Sequence, residues 1–183
     1  MAITVVPYSA DWPVRFERLA GTLRAALRGV PGAVVEHVGS TSVPGLAAKP
    51  VLDVDVIVPG RDVPGAVAAL AAVGYVHRGD LGVAGREAFR APDEDPARHV
   101  YVCTRGTLNV RNHLAVRDVL RRRPDLREEY GAVKLALATD PRMDVAAYLA
   151  GKTAVLQKVL AAATGEFTEE ELLRIRRLND PEG

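Results

Sequence analysis

Two aspartates one residue apart stand out in the run Val51-Leu52-Asp53-Val54-Asp55-Val56-Ile57-Val58. The apolar residues around them predict a strand, on which side chains alternate between faces. Leu52, Val54, Val56 and Val58 then fill one face, and Asp53 and Asp55 share the other with Val51 and Ile57. Residues two apart on a strand are separated by roughly 6.5 to 7 Å of backbone rise. Carboxylates at that spacing can converge on one divalent cation, or on two cations about 3.5 to 4 Å apart. Hard oxygen ligands suit magnesium or manganese. An Asp-x-Asp strand alone is also compatible with a solvated sheet face, so the preceding loop carries much of the argument.

That loop, Gly39-Ser40-Thr41-Ser42-Val43-Pro44-Gly45, follows an apolar strand predicted over residues 33–38. Gly39 and Gly45 can adopt backbone angles closed to other residues. Ser40, Thr41 and Ser42 offer hydroxyls, and the amides around them can form an anion-binding nest. Lys49 adds a point charge for a phosphate. The Gly-x-x-x-x-Gly-Lys-Ser/Thr pattern is absent, so this is not a P-loop. Phosphate donors close to metal acceptors suit phosphoryl or nucleotidyl transfer, whose catalysis is mostly positioning and charge neutralisation.

The run His37-Val38-Gly39-Ser40-Thr41-Ser42-Val43-Pro44-Gly45-Leu46, followed by Lys49-Pro50 and Asp53-x-Asp55, resembles the signature of the GrpB family. That family is similar to the nucleotidyltransferase superfamily, whose Gly-Ser and Asp-x-Asp pattern Gly39-Ser40 and Asp53-x-Asp55 match. The resemblance implies that Gly39, Ser40, Thr41, Ser42 and Lys49 bind a nucleoside triphosphate or another phosphorylated small molecule. It implies that Asp53 and Asp55 hold Mg2+ or Mn2+. Tyr148-x-x-x-Lys152 resembles a family pattern near the C-terminus and implies a triphosphate contact from Lys152; an exposed lysine is the plainer alternative. Many superfamily members carry a third carboxylate on a later strand, where this chain has His99 or Tyr101. His99 is then either a catalytic base or the occupant of a vacated carboxylate position, with Glu36, Glu87 or Asp118 completing the metal site. The implied activity is metal-dependent nucleotidyl transfer to an unknown acceptor. The alternative is a non-catalytic nucleotide- or CoA-binding module, since the family is also similar to a domain fused to some bacterial dephospho-CoA kinases. A folding or assembly partner domain is a third reading.

The elements that must position these groups follow from pattern and resemblance together. They imply an α/β (α+β) fold: a nucleotidyltransferase-like mixed sheet of about four to five strands with flanking helices, then a C-terminal helical segment. The expected division is an α/β core over 1–106, helices packed on it over 107–165, and a charged terminal helix or tail over 166–183. An edge strand is expected over Ile3 to Val6. Asp11 is expected to cap a helix whose Phe16, Leu19, Ala20, Leu23 and Leu27 face the core. A second helix runs over 63–73, closed by Gly74. Strands are expected over 75–77, 86–90 and 99–103. A polar helix over 107–122 presents Arg111, His113 and Arg117, either to a ligand or as a solvated face. A helix opened by Pro124 buries Leu126, Tyr130, Val133 and Leu137. Another, capped by Asp140, carries Val145, Leu149, Leu156 and Leu160 as an apolar stripe. Thr168 and Glu171 form a capping box for a last helix.

Composition narrows the function classes. Hydrophobic residues make up 48% of the 183, enough for a core. A net charge of +1 gives no global drive toward nucleic acid, which is not an expected partner. Cys103 is the only cysteine, so no intramolecular disulfide is expected, as suits a cytoplasmic protein. No basic segment followed by an apolar run opens the chain, and no stretch approaches about 18 apolar residues, so neither a signal peptide nor a membrane span is expected.

Overall fold

The computed structural model describes residues 3–163, 165 and 167–178, so the end of the expected tail lies outside the described residues. Five strands form one mixed sheet: β1 (Val34–Val38), β2 (Leu52–Val58), β3 (Val76–His77), β4 (Arg86–Arg90) and β5 (Arg98–Thr104), in the order β1-β2-β5-β4-β3. β2 and β5 run parallel; the other pairs are antiparallel. β2 lies inside the sheet because its sequence allows it. Leu52, Val54, Val56 and Val58 are fully buried on one face, against Phe16 and Leu23 of α1 (Asp11–Ala26) and Leu70 of α2 (Val63–Ala72). Gly74, at φ +94°, ends α2 as expected.

The opposite face carries the candidate site residues. Register places His99 beside Asp53 and Tyr101 beside Asp55 on β5, and Glu36 opposite Asp55 on β1. After the sheet come five helices among the described residues, one more than the four expected: α3 (Leu108–Arg122), α4 (Pro124–Ala138), α5 (Val145–Gly151), α6 (Thr153–Ala161) and α7 (Glu169–Leu178). Two apolar contacts help join them to the sheet. Val43 and Leu46 of the loop after β1 are fully buried among Val119, Leu126, Tyr130 and Val159. Val110 packs on Ile57 and Cys103.

Local expectations fail where a nearer group meets the same need. The amide of Asp11 donates to Ser9 Oγ (3.2 Å), so Asp11 is the first helical residue and not its cap. Ile3 to Val6 makes only a single bridge, Val6 to Ala48. Asp140 accepts from the amide of Arg142 (2.9 Å) and closes a turn, while Asp144 caps α5 by accepting from Ala147 (2.8 Å). The stripe expected over 145–160 is broken at Lys152, because Gly151 ends α5 where a β-carbon would come within 2.6 Å of Leu137. Leu160 is buried as expected, but Val145 and Leu149 are exposed, and Tyr148, Val155 and Val159 are buried in their place. The capping box does form, with Glu171 N–H donating to Thr168 Oγ1 (3.2 Å) and Thr168 N–H to Glu171 Oε2 (2.9 Å).

Leu46 couples the loop to the helices. Leu46→Ala is expected to lower unfolding stability by about 2 to 5 kcal/mol in urea denaturation; a loss under about 1 kcal/mol would show that the joint lies elsewhere.

Candidate phosphate and metal site

Val38 ends β1 opposite Asp53, and Gly39 carries the chain across it. Gly39 has φ +68°, and a β-carbon there would lie 2.2 Å from Asp53 Oδ2, so only glycine fits both the angle and the space. Ser42 Oγ donates to Gly39 O (2.6 Å) and closes a short 3-10 turn. Thr41 Oγ1 donates to Val51 O (3.2 Å), which leaves it to accept from His37 Nε2 (3.0 Å). His37 stacks on Phe16, with ring centroids 4.4 Å apart, and burial pushes its pKa down to about 4. His37, Thr41 and Ser42 therefore hold the loop's shape with their side chains. Ser40 does not: its hydroxyl is free to face the helices.

Lys134 is what it meets there. Its Nζ donates to Ser40 Oγ (2.9 Å) and sits 4.4 Å from the centre of the Tyr130 ring. It is only 2% exposed, and burial, helped by the charge of Lys152, pushes its pKa down to about 7. Lys152 and Lys49 each place Nζ 4.5 Å from the centre of the Tyr148 ring, itself buried. Burial and the charge of Lys49 lower the Lys152 pKa to about 8, against the pull of Asp53. Three of the chain's four lysines thus gather beside one loop, in a protein that otherwise uses arginine. The sequence reading found Lys49 and Lys152 and missed Lys134. Its signal was present: Tyr130-x-x-x-Lys134 repeats the Tyr148-x-x-x-Lys152 spacing, and i, i+4 on a helix sets the ammonium over the ring.

The carboxylates each hold a histidine by Nδ1. His99 Nδ1 is 2.9 Å from Asp53 Oδ1, and this bond raises the His99 pKa above its ordinary 6.5 against the effect of burial. His113 Nδ1 is 2.7 Å from Asp55 Oδ2. Burial works against charge on His113, but the bond to Asp55 and the charges of Asp55 and Asp53 outweigh it and raise the pKa. Asp55 is fully buried, and its Oδ1 has no hydrogen-bond partner among the described residues.

The acids expected to complete a metal site do not. Glu36 shares the face of Asp55, but Arg117 donates to it (2.7 Å), and also to Asp118 (2.8 Å) and His37 O (3.1 Å). Glu87 is in register with Val102, on the core side of the sheet, and binds His77 (2.6 Å). Among the described residues no third His, Cys, Asp or Glu completes a ready-made cage. The two aspartates nonetheless fit magnesium. Asp55 offers an orphaned oxygen, the glycine at 39 keeps the space over Asp53 Oδ2 open, and Mg2+ is commonly held by one or two carboxylates with substrate phosphates.

The polar residues of α3 turn in part toward the sheet, and the expected Arg117–Asp118 pair forms (2.8 Å). His113, Arg117 and Arg121, spaced four apart, form a row that binds Asp55, Glu36 and Ser42 O, the last at 2.8 and 3.1 Å. Arg111 binds Glu171 of α7 (2.5 Å).

The class is that of the nucleotidyltransferase fold. The GLD-2/RNP-8 complex is similar in fold, with a TM-score of 0.55 over 87% of this chain and 62% of that one, at 16% identity. Within that class the chain belongs to the GrpB protein family, which it matches over residues 2–162. The conserved protein GrpB from Enterococcus faecalis has a crystal structure similar to this one, with a TM-score of 0.75, 33% identity, and coverage of 87% of this chain and 96% of that one. A UPF0157 protein of Halalkalibacterium halodurans is 36% identical over 164 residues, 88% of this chain and 83% of its own length. A dephospho-CoA kinase of Mycolicibacterium paratuberculosis is 27% identical over 176 residues, and the match covers only 43% of its length. No helix among the described residues is long and apolar enough to cross a membrane.

The Asp53–His99 bond makes a spectroscopic prediction. Asp53→Asn is expected to drop the His99 pKa back toward 6.5 in an NMR titration, because the bonded charge that raises it is gone. An unchanged titration would mean that the pair does not form in solution.

Proposed function

We propose that this chain is a metal-dependent nucleotidyltransferase that moves a nucleotidyl group from a nucleoside triphosphate to an acceptor. The observation that carries this reading is the bond from Lys134 to Ser40, with Lys49 and Lys152 gathered beside Asp53. Buried ammonium groups that lose charge so readily are costly in the empty protein, and a polyanion restores their protons and their partners. Gly39, Ser40 and the three lysines would bind the triphosphate, with Thr41 and Ser42 holding the loop that presents it. Asp53 and Asp55 would hold Mg2+ or Mn2+, which would supply charge neutralisation at the phosphates when bound. His99, oriented through Nδ1 by Asp53, has its Nε2 left to take a proton from the acceptor.

A second reading has its own support. Tyr101 stands beside Asp55 on β5, where no acid completes the pair, and one relative is a dephospho-CoA kinase. On that reading the same loop and lysines bind a nucleotide or CoA without turnover.

A thermal-shift titration with each nucleoside triphosphate tests the site. Binding at a hundredfold excess over Kd raises apparent stability by about 2.7 kcal/mol. The shift is expected to need magnesium, and to be lost in Asp53→Asn and in Lys134→Met. It is also expected to weaken as pH rises through about 7 to 8, where Lys134 and Lys152 lose their protons in the free protein. A shift that ignores both variants would sink the assignment. Release of pyrophosphate in the presence of an acceptor separates the transferase from the binding module.

A further inference from the structure

Past His99 the functional face of the sheet opens into a groove of ≈ 1060 Å³. His99 and Tyr101 form the wall it shares with the carboxylates, and Val76, Arg78 and Arg90 lie across it. Val76 is in register with Arg90, and the amide of Arg78 donates to Ala88 O (2.9 Å), so the strand pairing continues past β3. This sets Arg78 and Arg90 on one face as diagonal neighbours, roughly 7 to 8 Å apart. Both are exposed, and neither guanidinium has an ion pair or hydrogen bond among the described residues. Like charges on neighbouring strand positions repel. Behind them Arg86 stacks on the Tyr101 ring (4.7 Å), and its Nε is buried without a partner among the described residues.

The acids of the groove do not cancel this charge. Arg98 holds Asp93 (2.7 and 3.0 Å), which leaves Glu94 as the one lining acid without a side-chain partner among the described residues. The groove also has an apolar strip. Val76 is 45% exposed, and Leu81 is 61% exposed at φ +50°, a backbone conformation that leucine rarely adopts. Strain held in an exposed apolar residue at a groove edge is the kind found at ligand clamps.

We propose that this groove is the acceptor site, and that the acceptor is an anionic small molecule with a hydroxyl or amine at one end and a phosphate or carboxylate at the other. The inference rests on the transferase reading of the neighbouring site. Arg78 and Arg90 hold the anionic end, and the nucleophilic end lies against His99. The acceptor oxygen or nitrogen attacks the α-phosphorus of the nucleoside triphosphate. Its new bond to phosphorus forms as the bond from phosphorus to the bridging oxygen breaks. Pyrophosphate leaves with that bonding pair, and the acceptor's proton passes to His99 Nε2.

The test is saturation-transfer NMR on the whole chain in the presence of α,β-methylene ATP and magnesium. The probes are glycerol 3-phosphate, glycerate, glycerol and choline. Glycerol 3-phosphate or glycerate is expected to bind, and the comparison of the two says which anion the arginines prefer. Glycerol and choline are expected not to bind. The double variant Arg78→Glu, Arg90→Glu is expected to weaken anion binding at least tenfold, while the thermal shift from α,β-methylene ATP stays as in the wild type. Equal binding of glycerol or choline, no binding of either anion, or retention of anion binding in the double variant each overturns the proposal. If α,β-methylene ATP itself gives no shift in the wild type, the transferase reading fails, and the groove's preference among the probes is still read from the same spectra.

Discussion

The row His113, Arg117 and Arg121 on α3 is the joint on which the site depends. One helix face binds a carboxylate of β2, a carboxylate of β1 and a carbonyl of the loop between them. The sheet supplies the aspartates and the later helices supply Lys134 and Lys152. Those two sets meet because α3 binds β1, β2 and the loop, and because Val43 and Leu46 pack among the later helices. Arg117 is 12% exposed at its side chain and serves three acceptors, which makes it unlike a surface ion pair worth about 0 to 1 kcal/mol. Removing it would leave Glu36 half-buried without its cation.

The electrostatics of the site follow from that arrangement. Two carboxylates and three lysines occupy one region, yet these lysines bind no carboxylate among the described residues. They sit over tyrosine rings and a serine hydroxyl, partners that accept an ammonium without cancelling its charge. The aspartates take histidines, whose charge depends on pH, and Asp55 keeps an oxygen unpaired. The protein thus leaves both its positive and its negative groups short of full pairing. Such shortfalls are the reason this region is the candidate site.

Much of the half-site on β2 was legible locally. Alternation on a strand has a period of two and needs no knowledge of neighbours, so the burial of Leu52, Val54, Val56 and Val58 and the shared face of Asp53 and Asp55 could be read from eight residues. The turn at Gly39 and the capping box at Thr168 are likewise short-range. Errors came where several nearby groups compete for one role. Asp140 and Asp144 are both plausible caps, and the choice depends on where α5 packs against Leu137 of α4.

The rest required the tertiary structure, because it joins groups far apart in the chain. Lys134 is 94 residues from Ser40, and His113 is 58 from Asp55. No periodicity links them. Glu87 could be considered a ligand until the pairing of β4 with β5 turned it to the core side, since a shift of one residue in register reverses every face. Glu36 was turned the right way and was still drawn from the aspartates, by an arginine 81 residues later. The sequence by itself determined which strand could bear the carboxylates and which loop could lie over them, because backbone sterics and alternation are local. Which cations reach that strand, and which acids are withheld from it, was decided by how the helices pack on the sheet.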